Sequence, residues 1–527
     1  MALLYPIGMQ NFPNIINRGY AYVDKTALIY QLTHTFAACF LSRPRRFGKS
    51  LLLSTMEAYF KGQRELFKGL AIEKLEKDWT VHPVIHIDLN NGDFGTAEKL
   101  TNALENQISE LEQEYGIVEP YNAIGQRFGK IIKVACETTG QQVVVLIDEY
   151  DKPTLEIMTD EEAQKEYRQV LKPFYGTLKA SEQYLRFIFI TGVTKFAKLS
   201  VFSDLNQLKD ISLLPDYDTL CGITTQEMMQ YFGSGVEAFA QAKGWTVEET
   251  VAKLEHKYDG YHFSSRKVGV LNPFSLLNAL SDKDLEAYWF ATGTPTFLAR
   301  LMERHHTPAD SLVGYKATTE LLTSVESVRT NPIPVIYQSG YLTIKDYDEV
   351  TREYTLGFPN EEVEQGFLNF LLPYYAHKRE INSGLMIKDF VKDFRDGKAE
   401  DMLKRVQSLF ADVNFELVLD TEAHYKNVLY IVFKLIGLQV EVERHTSQGS
   451  IDMVVKTDRY VYIIEFKYKG TAKKAIDQII NRGYGLPYQC DPRTVLLIGA
   501  SFSPPHPHPL LPLDHPTTEI KSHYLIF

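Results

Sequence analysis

The hydrophobic pattern of the chain changes period several times, and each change marks an element. An apolar run from Phe36 ends in a short basic turn, and a second apolar run follows Gly48-Lys49-Ser50. The first run reads as a buried strand, and Ser50–Phe60 has helical spacing and good helix formers. Val81–Leu89, Val143–Asp148 and Leu185–Thr191 are further apolar runs of strand length. Amphipathic stretches over Thr96–Tyr115 and Tyr121–Thr138 lie between them and predict helices. Asp24 stands where it can cap a helix over Ala27–Leu32. Strands alternating with helices predict an α/β fold with a doubly wound, mainly parallel sheet over residues 1–225.

From 226 to 415 the pattern is mostly helical, with helices expected over Glu227–Lys243, Thr246–Lys257, Glu361–Tyr375, Met386–Arg395 and Lys398–Phe410. Lys257–Phe263 is an aromatic-rich turn, in which His262 reads as a packing residue, and Asn272-Pro273-Phe274-Ser275 looks like a helix start. Val335–Lys345 with Glu353–Gly357 predicts a small hairpin on a helical or winged-helix unit. A third pattern fills 416–527: a helix over Thr421–Ile436, strands over Leu438–His445, Ile451–Lys456 and Tyr460–Lys467, a helix over Ala472–Tyr484, and a strand over Thr494–Ile498. The order is α-βββ-α-β. The tail from Ser503 is Pro-rich and reads as extended; two imidazoles there, His506 and His508, are too few for a metal site.

Composition adds limits. A chain of 527 residues needs more than one core, in keeping with three modules at 1–225, 226–415 and 416–527. No apolar run reaches the length of a membrane span, and the start has no basic segment followed by an apolar one, so a cytoplasmic protein without a membrane partner is expected. Cys39, Cys136, Cys221 and Cys490 lie far apart, which suits a reduced compartment and argues against zinc. The net charge of −11 offers no general attraction to nucleic acid, so any DNA contact has to come from local basic patches.

The chemistry of the first module lies at strand ends. A strand, a turn bearing Gly-Lys-Ser and a helix make a phosphate-binding loop: backbone N–H groups cradle the β-phosphate, Lys49 reaches the β- and γ-phosphates, and Ser50 is a ligand of Mg²⁺. The usual loop opens with Gly five residues before the Gly-Lys pair, whereas here that position is Arg43. Val143–Asp151, VVVLIDEYD, runs five apolar residues into Asp148-Glu149, as a buried parallel strand with carboxylates at its ligand-facing end should. Asp148 would hold Mg²⁺ and Glu149 would activate the attacking water. The strand ending in Thr191-Gly192-Val193-Thr194 puts a hydroxyl, Thr191 or Thr194, where a γ-phosphate sensor sits in ATPases of the AAA type.

YPIG near Tyr5, YVDKT at Tyr22, RPRRFGKS at Arg43, LIDEYDKP at Leu146, ITGVTKF at Ile190 and FSDLNQLKDIS at Phe202 follow one another in order. Together they resemble the bacterial AAA-ATPase-like family, whose members often carry a C-terminal nuclease-like domain. The resemblance implies ATP as the bound nucleotide, a loop of Arg45, Arg46, Phe47, Gly48, Lys49 and Ser50 around its phosphates, and Arg43 as the family's own opening residue. It also assigns Lys257–Phe263 and Asn272–Ser275 to a helical lid. Arg45 and Arg46 either neutralise charge on the transferring phosphoryl group or bind acidic groups elsewhere.

In the last module, side chains two apart on a strand share a face, so Glu465 and Lys467 point one way while Ile464 and Phe466 point into the core. Asp452, across the hairpin, reaches the same spot. Two carboxylates on adjacent strands can hold Mg²⁺ or Mn²⁺ against a scissile phosphate, and the lysine can orient or deprotonate the attacking water. The pattern resembles the PD-(D/E)xK nuclease superfamily. By that resemblance Asp452 and Glu465 are metal ligands, Lys467 is the catalytic lysine, Glu422 is the acid of the first helix and Gln478 the polar residue of the second. Relatives often have Gly-Arg-x-Asp where this chain has Gly449-Ser450-Ile451-Asp452, which removes a phosphate contact but not a metal ligand. Glu443 is a further acid nearby.

The expectation is an ATPase joined through a helical region to a Mg²⁺-dependent nuclease acting on DNA, with a defence or mobile-element role implied by the resemblance alone. The alternatives are an NTPase whose nucleotide state controls oligomerisation and whose last module only binds nucleic acid or a partner, and a motor that translocates DNA, which would need a homo-oligomeric ring or an arginine finger supplied in trans.

Overall fold

The four strands foreseen in the first 225 residues assemble in one sheet with a short fifth, Lys209–Asp210, that was not foreseen, and the central ones are apolar on both faces. In the computed structural model, which describes residues 4–90, 92–118, 123–157, 160–195, 207–290, 296–305, 307–323, 331–375, 392–411, 422–435, 437–446, 449–468, 470–503 and 519–526, this sheet contains five strands. They are β1 (Ala38–Ser42), β2 (Val84–Asp88), β3 (Val143–Asp148), β4 (Leu185–Gly192) and β5 (Lys209–Asp210), all parallel, in the order β2-β3-β4-β1-β5. Every residue of β3 is buried, which is why its apolar run has no alternation. β2 is an edge strand, and its burial alternates although an unbroken buried strand was expected over Val81–Leu89.

The helices that matter for the site are α1 (Thr26–Thr35), α2 (Lys49–Phe60), α3 (Ala97–Glu114) and α4 (Ile124–Thr139). The Asp24 carboxylate accepts hydrogen bonds from Thr26 N–H at 2.9 Å and from Ala71 N–H at 2.7 Å, so it ties the start of α1 to a second short helix. After the sheet come α5 (Thr225–Lys243), α6 (Val247–Tyr258) and α7 (Pro273–Asp282). Thr224 with Glu227 and Thr246 with Glu249 form capping boxes, and Asn272 caps α7. Their shared core of Met228, Phe232, Phe239, Leu254 and Leu276 takes in Tyr5, Ile7 and Val23 from the chain start.

Two compact units result: Met1–Gly293 with Gly314–Val363, and Thr294–Val313 with Glu364–Phe527. The boundary drawn from the sequence at 225 therefore falls inside the first unit. Val335–Gln338 was read as the start of a strand but lies in α8 (Ile333–Gln338), where prolines at 332 and 334 suit a first helical turn. The expected hairpin follows it as β7 (Thr343–Asp348) and β8 (Glu353–Gly357), and β6 (Lys316–Ala317) pairs with β8.

α9 (Glu361–Tyr375) starts in the first unit and continues into the second. There follow α10 (Ala399–Ala411), α11 (Glu422–Leu435), β9 (Gln439–Thr446), β10 (Gly449–Lys456), β11 (Tyr460–Tyr468), α12 (Ala472–Asn481), β12 (Thr494–Ser503) and β13 (Glu519–Ile526). The sheet order is β13-β12-β11-β10-β9, with β11 and β12 parallel and the other pairs antiparallel. The parallel pair needs a crossover, which α12 supplies. β13 was not foreseen: the strand over Thr494–Ile498 was expected to be the last. Most of the expected helix Met386–Arg395, residues 202–206, and His506 and His508 lie outside the described residues. Among the described residues no helix is long and apolar enough to cross a membrane.

Candidate functional site

Two groups of chemistry-bearing side chains form, one in each unit. The first is built on the loop from β1 to α2. Gly48 has φ of 91°, a left-handed conformation that a Cβ would strain, and α2 begins at the next residue. Arg43, standing in for the loop's usual first glycine, points inward and is 1% exposed. Its Nη1 donates to the carbonyls of Ser42 and Ser212 at 2.8 Å each, and Nη2 donates to that of Tyr217 at 3.1 Å. The guanidinium also lies 4.0 Å from the centre of the Phe263 ring. The loop's opening is thus set by a buried cation holding three carbonyls.

The aromatic turn and the helix start of the middle region form the seat of this loop. Phe47 packs edge-on against Tyr261 and Phe263, with ring centres 4.7 and 5.5 Å away. Its ring is buried there, so Phe47 can offer a ligand only its backbone. Arg46 lies 4.2 Å over the Phe274 ring, with φ of 64°. The indole Nε1–H of Trp289 donates to the Arg45 carbonyl at 3.0 Å. Arg45 and Arg46 are exposed.

Lys49 is nearly buried; its Nζ donates to the Pro44 carbonyl at 3.3 Å and lies 3.2 Å from Glu149 Oε1. Asp148, at the end of β3, is hydrogen-bonded to Ser50, and its pKa is raised by burial. Ser50 and Lys49 oppose that shift, while Glu149 and Asp88 add to it. Asp88 pairs in register with Asp148 from β2. Glu149 has φ of 48°, a strained conformation for a non-glycine residue. The four residues expected to bind and hydrolyse a nucleotide (Lys49, Ser50, Asp148, Glu149) therefore converge at one strand edge. No ligand is needed to see that they fit one: a helix N-terminus, a buried lysine and a hydroxyl–carboxylate pair suit a Mg²⁺-bound phosphate chain.

The expected sensor differs. Thr191 is fully buried, and its hydroxyl donates to the Leu41 carbonyl at 2.9 Å, tying β4 to β1. The Thr194 hydroxyl donates to Asp151 Oδ2 at 2.6 Å. Both hydroxyls have partners, Thr191 across to β1 and Thr194 at the buried Asp151 carboxylate, which gathers the turn after β4. Asp151 also accepts from the backbone N–H groups of Val193 and Thr194, at 3.1 and 2.6 Å. Burial and the Glu149 charge push its pKa up. Sequence reasoning passed over Asp151, although it is the third acid of the DEYD stretch.

The second group lies on β10 and β11. Met453 pairs with Ile464, so Asp452 and Glu465 come next to each other across the two strands. Asp452 is buried, and its Oδ2 accepts from the Phe466 N–H at 2.8 Å. Glu465 is 2% exposed; its Oε1 accepts from Lys467 Nζ at 3.0 Å and from Gln478 Nε2 of α12. Gly499 makes the last contact possible. A Cβ there would run into the Ala472 carbonyl and lie 2.7 Å from the Ile476 nitrogen, so only glycine lets α12 approach β12 this closely. Burial and Asp452 raise the Glu465 pKa to about 7. Its Oε2 is buried without a hydrogen-bond partner, an orphan acceptor of the kind a cation satisfies. Among the described residues no three or more His, Cys, Asp or Glu converge, so water and phosphate oxygens would complete the shell of a cation here.

Glu422 opens α11, and its side chain is outside the description. One turn later comes Lys426, which the sequence reading missed. Its Nζ lies 2.6 Å from Glu443 Oε1 and 3.0 Å from Asp452 Oδ1. Burial lowers the Lys426 pKa, but the two carboxylates outweigh it and the net shift is upward. The i, i+4 spacing from Glu422 was the available signal. Glu443, with φ of 48°, lies across from Asp452, since Arg444 pairs with Ile451 and Val442 with Met453. It also accepts from Ser450 Oγ at 3.1 Å, at the position where relatives often have arginine.

Each site lies within a stretch that matches a known family. Residues 6–202 match the family described as predicted AAA-ATPase, and residues 420–506 match the PD-(D/E)XK nuclease superfamily. A protein described as "uncharacterized protein in vnfD 5' region", from Azotobacter chroococcum mcd 1, is 33% identical over 519 residues, covering 94% of this chain and 96% of that one. Among solved structures, the ORC2 protein of Aeropyrum pernix in ADPNP and ADP complexes matches at 9% identity and a TM-score of 0.22, covering 68% of this chain and 91% of that one.

Proposed function

This chain belongs to the family of predicted AAA-ATPases that continue into a PD-(D/E)XK nuclease-superfamily domain, and from that premise we propose that it binds and hydrolyses ATP and cleaves DNA under nucleotide control. A nucleotide-binding and nuclease-like architecture is common to both readings of the sequence. The observation that carries the finer one is the intact set Asp452, Glu465, Lys467 and Gln478, with a buried Glu465 oxygen that has no partner.

At the first site, Lys49 would exchange its bond to Glu149 for phosphate oxygens. Released, the Glu149 carboxylate becomes an acceptor for the proton of an attacking water. Ser50 and Asp148 would hold Mg²⁺, which supplies charge stabilisation at the β- and γ-phosphates when bound. At the second site, Asp452 and Glu465 would hold Mg²⁺ or Mn²⁺, which polarises the scissile phosphate when bound. Lys467, 3.0 Å from Glu465, is placed to orient the water, and Gln478 fixes the Glu465 carboxylate. Lys426 donates to Asp452 Oδ1, and the Phe466 N–H holds the other carboxylate oxygen toward β11.

Cleavage of plasmid and linear DNA with Mg²⁺ or Mn²⁺, with and without ATP, tests this. Cutting by the wild type is expected to be lost in Asp452→Ala and in Lys467→Ala, and to respond to ATP. No cutting under any condition, with ATP hydrolysis intact, would leave a nucleotide-switched binding protein instead.

A further inference from the structure

The chain crosses between the units after Gly293, Val313 and Val363. Trp289 stands just before the first crossing and Glu362 just before the last. Within the first unit these two residues are bonded: the Trp289 backbone N–H donates to Glu362 Oε1 at 2.7 Å. Ser275, in the first turn of α7, donates its hydroxyl to Glu362 Oε2 at 2.8 Å. Glu362 is 1% exposed, so the loss of these donors would strip a buried carboxyl of part of its hydrogen bonding. The start of α9 is pinned around it. Lys257 and His256 lie 3.3 and 2.9 Å from the Glu361 carboxylate, and Asn360 caps the helix at Val363 N–H, 3.1 Å away.

The same Trp289 reaches the phosphate loop through its indole, which donates to the Arg45 carbonyl. Arg45 and Arg46 are exposed and lie in that loop between two fixed points. Arg43 is held by three carbonyls, and Phe47 by its aromatic seat. When backbone N–H groups of such a loop turn toward phosphate, the peptide planes that carry them turn too, and the residues between the anchors are those with room to do so. The Arg45 carbonyl is on one of those planes.

We propose that Trp289 and Glu362 form a clamp through which occupancy of the Arg43–Ser50 loop reaches the start of α9. The clamp rests on the reading of that loop as a nucleotide site. Trp289 is a positioning residue that acts through the Arg45 carbonyl, and Glu362 joins it to the helix that runs on into the second unit.

Hydrogen exchange of the full chain, with and without saturating AMP-PNP and Mg²⁺, tests the clamp. In the wild type, nucleotide should slow exchange about two-fold or more both in the loop with α2 and in peptides covering 361–375. In W289F, which keeps the ring but removes the indole N–H, protection of the loop should persist while α9 stops responding. E362A should behave the same way. A residue with only a structural role would change exchange equally with and without nucleotide. A wild-type α9 that ignores nucleotide while the loop is protected would overturn the clamp, as would a W289F α9 that responds like the wild type. If the wild-type loop itself gains no protection and retains no nucleotide, the nucleotide reading fails and the clamp falls with it.

Discussion

Single residues here do work that their motifs do not announce. Arg43 is the clearest case, because its guanidinium replaces the conformational freedom of a glycine with three hydrogen bonds to buried carbonyls. Arg43→Gly would restore the usual loop sequence, yet it should destabilise the first unit by roughly 3 kcal/mol through those unpaired carbonyls and the cavity beside Phe263. Denaturant unfolding of the two proteins would measure this, and equal stability would show that the guanidinium is dispensable. Glu362 makes a second prediction. Burial raises its pKa to about 7 from the usual carboxyl range, against opposing bonds from Ser275 and Trp289 and the charge of Lys257. The folded chain therefore holds a proton that the unfolded chain has lost, and this residue's contribution to stability falls as pH rises from about 4.5 to about 7, then levels off. Glu362→Gln removes that dependence. Wild type should lose on the order of 2 kcal/mol relative to the variant between pH 5 and 7.5, read from unfolding midpoints. A constant difference across that range would mean that Glu362 is ionised throughout.

At the scale of elements, placement depends on close approach. α12 brings Gln478 to Glu465 because Gly499 lets the helix lie against the β12 backbone. Gly499→Ala must push the helix outward, since the atoms a Cβ would meet, the Ala472 carbonyl and the Ile476 nitrogen, belong to the backbone. The expected result is a chain that still folds its first unit but loses about ten-fold or more in Mn²⁺ affinity at the Asp452–Glu465 pair, measured by calorimetry. Unchanged affinity would show that Gln478 has no part in holding Glu465. In the β9–β10–β11 row Glu443 lies across from Asp452, and Lys426 bridges the two carboxylates. That row was half legible in the sequence, because strand alternation placed Asp452, Glu465 and Lys467 on one spot but carried no information about the helix packed above them.

For the whole molecule, the two sites lie in different compact units, so each should fail separately. Lys49→Ala is expected to abolish ATP hydrolysis while leaving Mn²⁺ binding at Asp452 and Glu465 within about two-fold of wild type. Loss of both together would mean that the units fold as one. The local patterns in the chain were sufficient for the parallel sheet, for the convergence of Lys49, Ser50, Asp148 and Glu149, and for the α-βββ-α core around Asp452 and Glu465. These follow from periodicity and from where strands end, which are short-range properties of the chain. Tertiary structure alone decided the rest. It turned Arg43 inward, seated Phe47 among aromatic residues more than 200 positions away, committed Thr191 to the sheet, brought Lys426 to Asp452 and joined Trp289 to both Arg45 and Glu362. Each of these depends on which distant backbone carbonyl, ring or carboxylate arrives beside the side chain, and no spacing along the sequence encodes that arrival.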